Sequence, residues 1–454
     1  MNVKSLHFDM KGMIPRAAYM QQLREYIIDF GYNHLLVEFE DKFPYRNYDF
    51  MVHPDAYTKE ELAALHSDQL RVIPLLQCVG HLDYMLKHPQ MKHLRKNGNI
   101  YRWDMSDPQV FEVWKEQADE ILEVFPDCEY FHIGADEAEL DDEAEFDVYL
   151  RHVEKCADYL ISRGKKVIMW HDVFIRHDLA KVRSLLPKVI VHVWFYYVVR
   201  HEQIEQLLAA GAELWSASRI QDDNLYRGMT SQTKMRKNVD DWTRAHALFP
   251  FSGHTGTIWG RSQSTYPPSA TLPQSMYMIA YQGESLSAGK IPDPAEFHKK
   301  MAQWFGDETL DTSALAENFF YEPDIAAHYL HPVPVHNDII EIWSCLNDMD
   351  RLFAYMDHCF GANFAMMDMY RAGTAPQRTT QNYLDGCRIF RERTQVLFQR
   401  IDSELGKYFP PHLLQEFKNS RFSAVLEIND MQEKELLRAQ KLFAEKNAES
   451  FPKQ

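Results

Sequence analysis

Apolar and polar positions recur with two different periods along the first two thirds of the chain. Short runs rich in branched and aromatic residues predict eight β-strands: "VKSLHFDM", "HLLVEFE", "RVIPLLQCVG", "YFHIGADE", "KKVIMWHD", "VIVHVWFYY", "AELWSASR" and "HTGTIWG". Between them, "AYMQQLREYIIDFG", "TKEELAALHSDQL", "VFEVWKEQADEILEVF" and "DVYLRHVEKCADYLISRG" carry apolar residues at helical spacing, with Gly31 and Gly164 as C-terminal stops. Strand and helix alternating in this way predict an α/β chain folded as a (β/α)8 TIM barrel over residues 1–305. A doubly wound open sheet is the runner-up, but no Gly-rich dinucleotide loop follows the first strand. From residue 306 the β-rich runs stop. Segments such as "DIIEIWSCLNDMDRLFAYMDHCF" and "TTQNYLDGCRIFRERTQVLFQRIDSEL" predict a C-terminal all-helical domain over 306–454.

Composition narrows the class without naming a substrate. The 454 residues, 45% hydrophobic and 13% aromatic, suffice for a large core. No apolar run approaches the roughly 20 residues of a membrane helix. The start "MNVKSLHFDMKG" has no signal-peptide core, so a cytoplasmic protein is expected. Six scattered cysteines without C-x-x-C spacing argue against a zinc ribbon or a disulfide framework. A net charge of −17 repels polyanions and argues against a nucleic-acid partner.

A barrel of this kind carries its chemistry at the C-terminal ends of its strands. Those ends hold His7, Asp9 and Lys11; Glu38, Glu40 and Asp41; Gln77 with Gly80 and His81; His132, Asp136 and Glu137; then Trp170 with His171 and Asp172, Trp194 with Tyr196 and Tyr197, Trp215, and Trp259 with Arg261. Four of the nine tryptophans thus fall at equivalent places. They predict an aromatic basin for a sugar ring, against the plainer reading that they cap the core. Paired carboxylates there suggest glycoside hydrolysis. Asp136 and Glu137 are adjacent, however, and cannot flank a scissile bond, which leaves the substrate's own 2-acetamido group as nucleophile. Glu137 would then protonate the leaving oxygen and Asp136 would steer the acetamide. The charge on Asp136 and an apolar rim are expected to raise the proton affinity of Glu137. The plain alternative for this pair is capping of the following helix, and the run "EAELDDEAE" reads as a solvated loop and first helical turn.

The segment "HIGADE" resembles the His-x-Gly-x-Asp-Glu signature of family 20 glycoside hydrolases, the β-N-acetylhexosaminidases. With "LHFDMKG", "LLVEFEDKFPY", "VIPLLQCVGHLDYMLKH", "VIMWHDV", "VHVWFYY", "LWSASR" and "GTIWGRSQ", residues 3–265 look most like the hexosaminidase D branch. The resemblance implies retaining, substrate-assisted removal of terminal β-linked GalNAc or GlcNAc, leaning to GalNAc. Asp136 would position the acetamide, Glu137 would act as acid and then base, and Tyr196 would donate to the acetamido oxygen, with Tyr197 as its competitor. Trp170, Trp194, Trp215 and Trp259 would form walls, His81 and His132 would stand near the acids, and Asp9, Glu40 and Arg261 would support the sugar pocket. Secreted members carry a first-strand arginine whose matching position here is Lys4, which cannot form a bidentate fork. The expected partners are a carbohydrate with a terminal N-acetylhexosamine and, as assembly, a homodimer; no nucleic acid, membrane, cofactor or metal is expected. Two alternatives are kept: a metal-dependent barrel hydrolase using His7, Asp9, His132, His171 and Asp172, and a catalytically silent sugar-binding barrel.

Overall fold

A computed structural model describes residues 2–221, 232–261, 271–308, 335–371 and 377–450. Eight parallel strands close into a barrel in sequence order: β1 (Val3–Asp9), β2 (His34–Glu38), β3 (Arg71–Leu75), β4 (Tyr130–His132), β5 (Lys166–Trp170), β6 (Val189–Trp194), β7 (Glu213–Arg219) and β8 (Gly253–Thr257), with β8 pairing back onto β1. Seven of the predicted β-rich runs contain one of these strands whole, and β8 begins one residue before the eighth run, at Gly253. Among the described residues the intervening helices are α1 (Ala17–Asp29), α2 (Lys59–Ala63), α3 (Asp83–Leu86), α4 (Pro108–Val124), α5 (Glu143–Ser162), α6 (His201–Ala209), α7 (Gln232–His246), α8 (Met276–Ala288) and α9 (Pro294–Phe305). Gly31 and Gly164 follow α1 and α5 with φ of 89° and 77°, as expected of C-terminal stops. Asp107 caps α4 by accepting the Gln109 N–H, with Pro108 at its first turn.

Alternate residues of each strand face inward. Leu36, Ile73, Leu75, Ile168, Ile190 and Ala217 form the apolar interior together with the fully buried Trp170 and Trp215. A polar thread crosses this interior. The Gly134 N–H donates to His132 Nδ1 (2.9 Å), so the ring hydrogen is on Nε2, which donates to His192 Nδ1 (3.3 Å). His192 Nε2–H in turn donates to the Ser216 carbonyl (3.3 Å). Both rings are thereby satisfied while neutral. Burial pushes His192 down to about 3 and His132 well below its ordinary value.

The described residues from 335 onward form a second compact unit. It consists of α10 (Asn337–Arg371), α11 (Gln377–Glu404) and α12 (Pro411–Ser450), packed around Trp343, Leu346, Phe390, Ile401, Phe417 and Phe422. Its helical character matches the expectation for the tail.

Candidate active site

β4 is only three residues long, because the chain after it leaves the strand conformation. Gly134, Ala135 and Glu137 all have positive φ, at 64°, 68° and 48°. Such a conformation costs a non-glycine residue about 1–3 kcal/mol and persists only where its surroundings impose it. Here three hydrogen bonds do so. The Gly134 carbonyl accepts the Trp170 N–H (2.9 Å), the Ala135 carbonyl accepts the Tyr149 O–H (2.8 Å), and the Glu137 N–H donates to Asp172 Oδ2 (3.0 Å). Position 134 also excludes a side chain, since a Cβ there would lie 1.8 Å from Gln77 Oε1. The acids do not cap the next helix: Asp142 caps α5, accepting the Glu145 N–H at 2.8 Å. Within the acidic run, Glu145 is buried against Arg102 at 3.4 Å, so that run is not wholly solvated.

His81, in the loop after β3, joins the two acids. Its Nε2 lies 3.5 Å from Asp136 Oδ2 and 3.3 Å from Glu137 Oε2. The approach depends on Gly80, where a Cβ would stand 3.0 Å from the Asp136 carbonyl oxygen. Burial works against a charged ring, but Asp136 and Glu137 outweigh it and hold His81 well above the ordinary imidazole range. The His81 hydrogen bond in turn holds Glu137 below the ordinary carboxyl range, against the effect of burial. This reverses the expectation for Glu137, because its side chain is 53% exposed and a cation stands between it and Asp136. Next to the pair, the carboxyl that is raised is Asp172, pushed up to about 7 by burial and then by the charge of Asp136.

Glu137 opens onto a cleft of about 570 Å³ lined by His81, Tyr101, Arg102, Val173 and Arg176. A neighbouring recess of about 340 Å³ is lined by His171, Asp172, Trp194 and Tyr196. Tyr196 stacks on Trp194 with centroids 4.3 Å apart, beneath the Arg219 guanidinium at 4.8 Å, whereas Tyr197 is 76% exposed.

The predicted basin of four tryptophans needs correction. Trp194 and Trp259 are only partly buried at the mouth, but Trp215 is not there. β7 runs on to Arg219, so Trp215 lies in its first half, packed on Tyr130 (4.9 Å), the first residue of β4, and over Gly253, the first residue of β8. Trp170 does end β5, yet it is fully buried and stacks on His192 at 4.3 Å. Both are core residues, as is His132.

Across the mouth, Lys11 Nζ gathers Glu38 (2.6 Å), Asp9 (3.2 Å) and Glu40 (3.8 Å), beneath the Trp259 ring at 5.7 Å. Asp9 also accepts the Gly260 N–H (2.8 Å) and the Lys11 N–H (2.9 Å). Glu38 further meets His7 (3.2 Å) and the Gln77 amide (3.3 Å). Burial, despite Lys11, leaves the Glu40 carboxyl well above its ordinary value. Arg261 is buried just beyond β8. Lys4, the expected counterpart of the family arginine, instead reaches Ser287 of α8 at 3.3 Å on the outside of the barrel. Lys11 is the cation that the first strand brings to the mouth.

Of the residues considered as metal ligands, His7 is drawn to Glu38, Asp9 to Lys11 and Gly260, His132 to His192, and Asp172 to Glu137. Among the described residues, the group of potential ligands that does converge is Cys78, His152 and Cys156, buried behind the acid loop. There His152 Nε2 already donates to the Cys78 carbonyl at 2.8 Å.

A closed (β/α)8 barrel with an adjacent acid pair under one histidine narrows the class, and sequence comparison agrees. Residues 52–251, which contain β3 to β7 and both acids, match the family described as glycosyl hydrolase family 20, catalytic domain. The chain is similar to two proteins named Hexosaminidase D. It is 32% identical to the one from Homo sapiens over 292 residues, 57% of this chain and 58% of that protein. It is 28% identical to the one from Bos taurus over 199 residues, 38% of this chain and 56% of that protein. The chain therefore spans a little over half the length of these relatives. The barrel also resembles a β-N-acetylhexosaminidase from Bacteroides fragilis, with a TM-score of 0.53 at 16% identity, covering 68% of this chain and 71% of that one, a likeness of fold alone.

Proposed function

We propose that the protein is a retaining exo-β-N-acetylhexosaminidase that removes terminal β-linked GalNAc or GlcNAc by substrate-assisted catalysis. The observation that carries this reading is the single His81 nitrogen in reach of both Asp136 and Glu137, which puts the two acids on one side of any bound sugar. Of the carboxyls across the mouth, Asp9, Glu38 and Glu40 are all gathered by Lys11, and Gly260 and Gln77 further engage Asp9 and Glu38. Among the described residues, an ionised and unengaged carboxylate opposite the pair is therefore lacking, and the nucleophile comes from the substrate.

Glu137 delivers a proton to the glycosidic oxygen as the acetamido oxygen attacks the anomeric carbon, giving an oxazolinium ion. Asp136 accepts the acetamide N–H and stabilises the developing positive charge. Glu137, now a carboxylate, takes a proton from the water that opens the ring on the same face, so configuration is retained. In the resting site the proton sits on His81, 3.3 Å from Glu137 Oε2, and its shift to Glu137 leaves both groups neutral. Tyr196 and Trp194 form the wall toward the acetamide. The test is parallel release of aryl groups from β-GlcNAc, β-GalNAc and β-galactoside: the first two are expected to turn over and the last to be inert. Comparable cleavage of the galactoside would refute acetamide participation.

A further inference from the structure

Asp172 is absent from the acid–base roles above, yet it touches them. It lies two residues past the end of β5, 4% exposed, and its Oδ2 accepts the Glu137 N–H at 3.0 Å. The same oxygen lies 3.7 Å from the Arg176 guanidinium, and Oδ1 is buried without a hydrogen-bond partner. The residue it grips is the last of the three after β4 whose positive φ, here 48°, carries the backbone away from the strand direction.

Resting on the reading just given, we propose that Asp172 is a positioning residue for the general acid: it fixes the left-handed turn at Glu137 and so aims the Glu137 carboxyl at the leaving-group oxygen. The geometry supplies the reason. The Ala135 and Gly134 carbonyls are tied to Tyr149 and Trp170, so the backbone is fixed up to residue 135, and the Glu137 N–H is the next point of attachment. Released there, the peptide before Glu137 can relax toward negative φ, which would swing the side chain away from His81.

A positioning role has a signature that general destabilisation lacks. Proton donation matters for poor leaving groups and little for good ones. The Asp172→Ala variant should lower kcat about 10- to 100-fold on a β-N-acetylhexosaminide with an alkyl leaving group, with KM little changed, but only a few-fold on the 2,4-dinitrophenyl glycoside. The isosteric Asp172→Asn variant keeps an oxygen for the Glu137 N–H and should recover most of the alkyl-glycoside rate. Equal losses on both leaving groups, an unaffected Asp172→Ala enzyme, or an Asn variant as poor as Ala would each overturn the role. The wild-type protein is run alongside: if it turns over neither substrate, the proposed function fails and this inference with it. Turnover by wild type with no split between leaving groups in the variant removes Asp172 alone.

Discussion

Replacing His81 by Gln tests the central feature of the site, one ring nitrogen shared by two carboxylates. At 3.5 and 3.3 Å and an effective dielectric near 20, each charge pair is worth roughly 5 kcal/mol before solvent is considered. Desolvation of a ring that is 15% exposed opposes this, and Glu137 at 53% exposure is partly screened. The surplus is enough to hold His81 protonated well above the ordinary imidazole range. The pair therefore keeps one transferable proton through neutrality and loses it as a unit. In the variant the proton rests on Glu137 alone, so the alkaline limb of kcat/KM should move to lower pH by more than one unit. Between about pH 6 and 8 the wild-type profile should be nearly flat, while the variant should fall about tenfold per pH unit. The assay is a pH series with an alkyl or other poor leaving group, for which protonation limits the rate. An unchanged alkaline limb in the variant would show that His81 does not hold the working proton.

Glu137→Gln should nearly abolish turnover of poor leaving groups while sparing activated aryl glycosides, and Asp136→Asn should lower kcat on both; undiminished activity of Asp136→Asn would count against acetamide steering. Gly134→Ala forces a Cβ to 1.8 Å from Gln77 Oε1 at a φ of 64° and should cost about 1–3 kcal/mol in denaturant unfolding. Trp215→Phe should lower stability but leave KM within about twofold, whereas Trp194→Ala should raise KM several-fold. The reverse pattern would restore Trp215 to the mouth.

Much of the barrel was legible because its strands and helices differ in period and each strand carries its own apolar run. The acid pair was legible because an Asp-Glu doublet at a strand end has few other uses. The sequence is less informative about where a strand ends. Stopping the seventh strand at Trp215 placed that indole at the rim, although "ELWSASR" continues the alternation and puts Trp215, Ala217 and Arg219 on one face. Counting on by two would have exposed Arg219, whose guanidinium covers Tyr196. A family arginine before Asp9 points to Lys4, whereas the cation that reaches the mouth, Lys11, follows Asp9 in the chain. The protonation states were not readable at all. Neighbouring acids in sequence suggest mutual repulsion, and only the fold brings His81 across to invert it for Glu137, while burial, with Asp136 beside it, raises Asp172.

The buried neutral histidines, the thread through the barrel among them, also set a lower pH boundary for the folded chain. His171 and His192 titrate at about 3, His34 and His152 at about 4, and His132 and His254 well below 6.5, in each case chiefly through burial. The unfolded chain takes up these protons near 6.5 and the native one does not, so stability is intact above that value and declines as pH falls toward the native values. Each ring contributes about 1.4 kcal/mol per pH unit below 6.5, so the six together contribute about 8 kcal/mol for each unit of pH, comparable with the whole stability of a typical domain. Acid should thus inactivate this barrel by cooperative proton uptake and collapse of its interior.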